Sequence, residues 1–483
     1  MKKIVSLLLV MLLLVSLLPG CKKTETIWIV MEEHKAMEQH VRSIIKLFKE
    51  QNPNVEFELE LLPNGNKVVD ADYEEARTAI MQRLRSAIMA RKGPDIYLLP
   101  STTTTYEMLF EDVNLAMRNG LFEDISEYYD GDTELRTEEL ISGVMDAGVL
   151  DGRRYILPLR YEMPVAYVDV SQFKALGGSL DMFDGGIMEL YKDLLATGNS
   201  ELIAGAFVSY HAMRSFAMNF CGDVINYDER EVQLTAEELA EFVSTVQTVR
   251  MHEYVDPENW EQKSEVIFPS VLPHLFSGME YWTAGTSMYI GKMQDLMDNA
   301  AYARTHDVEI AMIPLASADG KVTADVTYFG AVGDSCDDVE LAYEFLRLFL
   351  TEEGQWIENT DTAHEAFYHG WPVRAKGGVG LLWQKRNERL ANVESPEWDE
   401  ETKLAIQELK AGIINNVVVL DDEDLPILDV AVDRVQLSID LENVLNDMLI
   451  GLNDSATNEA IPADIDAMAA QWLEELEWHL GEG

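Results

Sequence analysis

Apolar residues recur along this chain in two rhythms, and their alternation outlines the fold. Val55, Phe57, Leu59 and Leu61 alternate with Glu56, Glu58 and Glu60, the period-two pattern of a strand with one wetted face. Just upstream, Val41, Ile44, Ile45, Leu47 and Phe48 follow helical spacing, and Asn52-Pro53-Asn54 stops that helix before the strand. The apolar run Ile27–Val30 ahead of the helix completes a strand, helix, strand unit. A second helical stretch from Tyr73 to Arg91 leads through Gly93-Pro94-Asp95 into another apolar run, Ile96–Leu99. Strands separated by helices in this way predict an α/β lobe with a largely parallel sheet. Asp151-Gly152, set between Val149-Leu150 and Tyr155-Ile156, predicts a hairpin. Leu341, Phe345, Leu348 and Phe349 predict an amphipathic core helix over Glu340–Leu350. Met468, Trp472, Leu473, Leu476 and Trp478 do the same over Ile465–Leu480, a C-terminal helix packed on a second lobe.

The first apolar run is of another kind. Lys2 and Lys3 precede the stretch Ile4–Leu18, and Pro19-Gly20 ends it before Cys21-Lys22-Lys23. It is shorter than the roughly 20 residues a spanning helix needs, and it has the charged front, apolar centre and small residue of an export signal. The junction Leu17-Leu18-Pro19-Gly20-Cys21 resembles the lipobox of bacterial lipoproteins. The resemblance implies that residues 1–20 are a signal peptide and that Cys21 is acylated and anchors the chain to the bilayer. Residues 21–26 then form anchor and tether, and the body sits on the extracytoplasmic face, at a cell surface or in a periplasm.

At 483 residues the chain exceeds the size at which one core keeps growing, which predicts two lobes. Its formal net charge of −49, from 86 acidic against 37 basic side chains, excludes nucleic acid as a partner and leaves membrane contact to the lipid. Cys221 and Cys336 remain beside Cys21, either as free thiols or as a pair, since spacing does not decide. The nine histidines form no metal-ligand spacing. Asp130, Asp132 and Glu134 start like a calcium loop, but Leu135 and Ile141 occupy the positions that need glycine and glutamate. No phosphate loop and no nucleophile elbow is present, so no metal, cofactor or catalytic constellation is expected.

The order of local patterns resembles the family 1 extracellular solute-binding proteins, the lipoprotein receptors of ABC importers. The likeness is carried by Phe48 with Gln51-Asn52-Pro53-Asn54-Val55, by Gly93-Pro94-Asp95-Ile96, and by Asn119-Gly120-Leu121-Phe122-Glu123-Asp124-Ile125. It continues through Asp151-Gly152-Arg153-Arg154-Tyr155-Ile156-Leu157-Pro158, Gly285-Thr286-Ser287-Met288-Tyr289-Ile290-Gly291, Ile313-Pro314-Leu315 with Asp319-Gly320, and Ala342 to Gln355. The resemblance implies an α/β, two-lobe periplasmic-binding-protein-like fold of type II, with hinge-linked discontinuous lobes and a ligand cleft between them. Crossings are expected near Pro164-Val165-Ala166, near Val308-Glu309-Ile310, and between Glu353 and Trp371. Lobe one is then 27–164 plus 309–359, and lobe two 165–308 plus 360–483. Two positions depart from the family pattern. Ser101-Thr102-Thr103-Thr104-Thr105 stands where sugar-binding members present an aromatic and a carboxylate, and Met293 where they often hold a tryptophan.

A cleft of this kind binds a polar solute through loops at strand ends and apolar ring faces. The candidate contacts are Trp371 and Arg374 after the third crossing, Tyr161 and Glu162 before the first, and the strand pair Tyr328 and Phe329. One of that pair belongs to the core, because strand neighbours face opposite sides. Ser101 and Thr102 are hydroxyl donors or helix caps, and Trp282, beside Tyr281, is ligand-facing or buried. Trp371 equally suits core packing. The expected function is capture of a small solute, a mono- or oligosaccharide, by a monomeric receptor that hands it to a membrane ABC permease. The alternatives are a sensory or scaffold lipoprotein of the same fold and a glycoside-active enzyme with paired carboxylates.

Overall fold

The computed structural model describes residues 25–64, 73–101, 107–110, 112–199, 235–253, 309–317, 320–356, 370–374, 420–436 and 465–482, with short stretches at 202, 225–226, 231–232, 286–289, 404 and between 296 and 304. The signal and anchor segment, Cys221, Thr102 and Trp282 lie outside the described residues.

Strand β1 (Glu25–Glu32), helix α1 (Lys35–Gln51), strand β2 (Val55–Leu62), helix α2 (Tyr73–Met89) and strand β3 (Ile96–Pro100) follow the sequence expectation closely. Asn52 caps the first helix by donating its backbone N–H to Phe48 O, and the chain re-enters as a strand at Val55. β1 pairs in parallel with both β2 and β3. β2 forms one edge of the sheet, which is why its glutamates can alternate with apolar residues. The helical stripe Met37, Val41, Ile44 and Phe48 is buried on that sheet.

The chain then makes the tight turn at Asp151-Gly152, where both residues take positive φ, and enters β4 (Ile156–Glu162). Two residues later, β5 (Val165–Asp169) lies in a different sheet, between β6 (Thr286–Tyr289) and β7 (Ile310–Pro314), antiparallel to both. The strand β8 (Thr323–Val332) returns to the large sheet between β3 and β4. The large sheet is completed by β9 (Trp371–Pro372) on β4 and β10 (Arg434–Gln436) on β8.

Two assignments differ from expectation. Residues 310–314 pair with β5 rather than with the large sheet, so the return crossing lies between Pro314 and Thr323. The reversal there is made by the turn at Ser317 to Lys321, with Gly320 at φ 80°. Trp371–Pro372 and Arg434–Gln436, both expected in lobe two, belong to the large sheet.

Helix α3 (Ala236–Glu253) packs against the C-terminal helix, and α4 (Val339–Arg347) covers the large sheet. Phe345 of α4, Phe48 of α1 and Phe57 of β2 form a ring cluster, with Phe48 edge-on to both partners at 5.6 and 5.7 Å. The C-terminal helix, α5 (Ile465–Glu482), is where one apolar expectation fails, since Trp478 is 57% exposed. Among the described residues no helix is long and apolar enough to cross a membrane.

Candidate functional site

β8 has an unusual flank. β3 runs antiparallel to it and ends with Pro100 opposite Tyr328, while β10 runs parallel to it and ends with Gln436 opposite Asp325. Two strands therefore meet end to end on one side of β8, leaving Val326 and Thr327 at the break. The region outside the ends of neighbouring strands is where open α/β sheets bind ligands. The β4 pairing is irregular at the same position, with register shifts between Val326 and Phe329. A bulge of this kind re-aims side chains.

Ser101 closes the break. Its hydroxyl donates to Val326 O, and its backbone N–H donates to Thr327 O at 3.3 Å. On the other flank Glu162 is the residue opposite Asp325. Gly370 completes the group at φ 103°, and a Cβ there would stand 2.6 Å from Thr327 Oγ1, 2.5 Å from Tyr161 O and 3.0 Å from Glu162 Cγ. Only glycine allows that approach. A hydroxyl, a carboxylate and a bare backbone are thus gathered at one point of the sheet.

A second polar group lies along the same end of the sheet. Arg77 of α2 makes a bidentate pair with Glu32 at 2.8 and 2.9 Å, and neither side chain is more than 4% exposed. Burial pushes the Glu32 carboxyl above its ordinary range, and the guanidinium works against that shift. His34, just after β1, caps α1 by accepting from Met37 N–H. Asn64 follows β2.

Exposure separates the sequence candidates. Glu162, Thr327, Asn64 and His34 are buried but retain 7–8% exposure at the end of the sheet. Trp371, Tyr161, Tyr328, Phe329, Ser101 and Arg374 are each at 0–1% and offer no surface to a solute in this conformation. Trp371 packs edge-on to Tyr161 at 5.6 Å. Tyr328 donates its hydroxyl to Leu98 O at 2.8 Å, and Phe329 is enclosed beside Phe122, so both members of that pair are core. Arg374 donates to Leu350 O at 3.0 Å and Leu135 O at 2.7 Å and pairs with Glu139, which locks the strand carrying Trp371 in place. Sequence reasoning missed Thr327, Gly370, His34 and Asn64. Thr323, Asp325 and Thr327 recur at every second position of an otherwise apolar strand, and that was the available signal.

Cys336 is a free thiol, pushed up to about 12 mainly by burial, and so is unreactive. Among the described residues no cluster suited to a metal ion occurs.

No protein-family model matches the sequence, and no curated protein does. Among solved structures, 544 chains match. One is the sugar-binding protein MalE from Xanthomonas citri, at 13% identity and a TM-score of 0.53, covering 95% of this chain and 98% of that one. Another is a de novo designed cysteine esterase, ECH19, at 11% identity and 0.51, covering 95% and 99%. An extracellular solute-binding protein of family 1 from Alicyclobacillus acidocaldarius matches at 13% identity and 0.48, covering 95% and 99%. At these identities the likeness is one of fold. The chain has the two-lobe α/β fold of the periplasmic binding proteins, as its sequence pattern led us to expect.

Proposed function

We propose that this chain is an extracytoplasmic solute receptor that captures a saccharide at the crevice beside Thr327 and delivers it to a membrane ABC permease. One observation carries the reading: Glu162, Thr327 and Gly370 converge where β3 and β10 end against β8, with Ser101 closing the break between the two strands. Hydroxyl and carboxylate groups around a bare glycine backbone suit the alternating donors and acceptors of a sugar. The structural likeness to a protein described as sugar-binding supports the same class. Acylated Cys21 tethers the receptor to the bilayer, as the lipobox-like junction suggests.

Capture proceeds by hinge closure. Met163-Pro164 is the whole connection between β4 of the large sheet and β5 of the small one, and the Ser317–Lys321 turn carries the chain back. A solute that touches both lobes only when they are closed shifts the population by its differential affinity. A change from 1% to 99% closed takes about 5.5 kcal/mol.

A thermal-shift screen tests the reading with glucose, galactose, maltose, lactose, maltotriose and galacturonate oligomers, and with amino acids, dipeptides and polyols as controls. At 100 times its Kd a ligand adds about 2.7 kcal/mol of stability. A shift confined to saccharides and lost in Glu162→Gln is the expected result. No shift from any saccharide, with the protein folded and free of copurified ligand, would overturn it. Binding without uptake in cells would indicate a sensor rather than a carrier.

A further inference from the structure

Arg77 is a charged residue at a core position. It opens the buried stripe of α2, followed by Met81, Leu84 and Ile88, and it is 3% exposed. All five of its N–H groups are engaged. Nε donates to Glu107 O at 2.8 Å, Nη1 to Glu32 Oε2 at 2.9 Å and to Pro63 O at 2.8 Å, and Nη2 to Glu32 Oε1 at 2.8 Å and to Glu107 O. These acceptors belong to three different segments: the last residue of β1, the residue after β2, and the stretch following β3. Two turns along α2, Arg85 braces the third of them again, with Nη1 on Glu107 Oε1 at 2.6 Å and Nη2 on Met108 O at 3.0 Å.

The three segments lie at the same end of the large sheet as the proposed crevice. β3 is the neighbour of β8, β1 is the next strand and β2 the one beyond, so the end of β1 lies about 10 Å across the sheet from β8 at ordinary strand spacing. His34 and Asn64, buried polar residues at this end of the sheet, lie one or two positions from Glu32 and Pro63. We propose that Arg77 is a positioning residue for solute capture, holding the ends of β1, β2 and the post-β3 segment in one fixed arrangement so that the rim is preorganised. The inference rests on the solute-receptor reading. A rim already in its bound geometry loses less entropy when a ligand arrives. A lysine keeps the charge but has a single ammonium and no planar fork, so it serves one or two of the acceptors rather than three segments at once.

The test uses the full-length chain with Arg77→Lys, and Glu32→Gln as a second, isosteric variant should the first not fold. Amide hydrogen exchange is read at residues 33–34, 64 and 107–110, alongside thermal unfolding and affinity for maltose, lactose and maltotriose. The expected result for Arg77→Lys is a cooperative unfolding transition, exchange accelerated at least tenfold at all three segments together, and at least tenfold weaker binding of whichever saccharide the wild type binds. Exchange that stays at wild-type rates, or rises at one segment alone, would overturn the proposal. So would unchanged affinity despite faster exchange, since Arg77 would then be structural only. If the wild type binds none of the saccharides, the solute reading fails, and the exchange result still decides whether Arg77 holds the three ends.

Discussion

His40 should make stability fall steeply as the solution is acidified. It sits on the buried face of α1, where its Nε2 donates to Gly354 O at 2.8 Å and its ring lies edge-on to Phe349. Burial first, and the nearby Arg160 guanidinium second, push its pKa down from 6.5 to about 3. A histidine depressed in the folded state adds stability that is fully present above its unfolded pKa and is lost as pH falls toward the folded one. The window is therefore pH 6.5 to 3. From those two values the loss by pH 5 is about 2 kcal/mol, a large share of the ~5–15 kcal/mol that holds an ordinary domain together. Urea unfolding at pH 7 and pH 5 measures it, with His40→Gln as the reference because its side-chain amide can still donate to Gly354 O. Wild type should lose about 2 kcal/mol more than the variant over this interval. Equal losses, within about 0.5 kcal/mol, would refute the reasoning, because the protonated ring would then be accommodated in the core.

The crevice makes further predictions. Thr327→Val keeps the shape but removes the hydroxyl, and should weaken saccharide binding about tenfold in calorimetric titration. Gly370→Ala places a methyl 2.5 Å from Tyr161 O at positive φ, and should cost about 1–3 kcal/mol in urea unfolding as well as abolish binding. Trp371→Ala should destabilise by about 3–5 kcal/mol through the cavity it leaves, and weaken binding only as far as the rim collapses.

Elements with one wetted face were legible in the sequence because solvent imprints a period on them. β2 is the clearest case, with Glu56 and Glu58 exposed on an edge strand. Asn52 as a helix stop and Asp151-Gly152 as a turn were equally readable, since each reflects local backbone chemistry. β8 was opaque. It is buried at all ten positions, and the break beside Thr327 exists only because β10 arrives from a hundred residues further along the chain. Aromatic identity misled for a related reason, because a large ring suits a core and a sugar cleft alike. Trp371, Tyr161, Tyr328 and Phe329 proved to be enclosed. Arg77 shows the converse: an arginine at the head of an apolar helical stripe is a legible sign that something buried awaits its charge, although which segments it joins is a matter of tertiary structure.

The most direct test of solute capture by hinge closure is small-angle X-ray scattering of the chain titrated with the saccharide that stabilises it most. The account predicts a radius of gyration that falls as the sugar is added and saturates with the same midpoint as the thermal stabilisation. Full stabilisation at an unchanged radius would contradict closure.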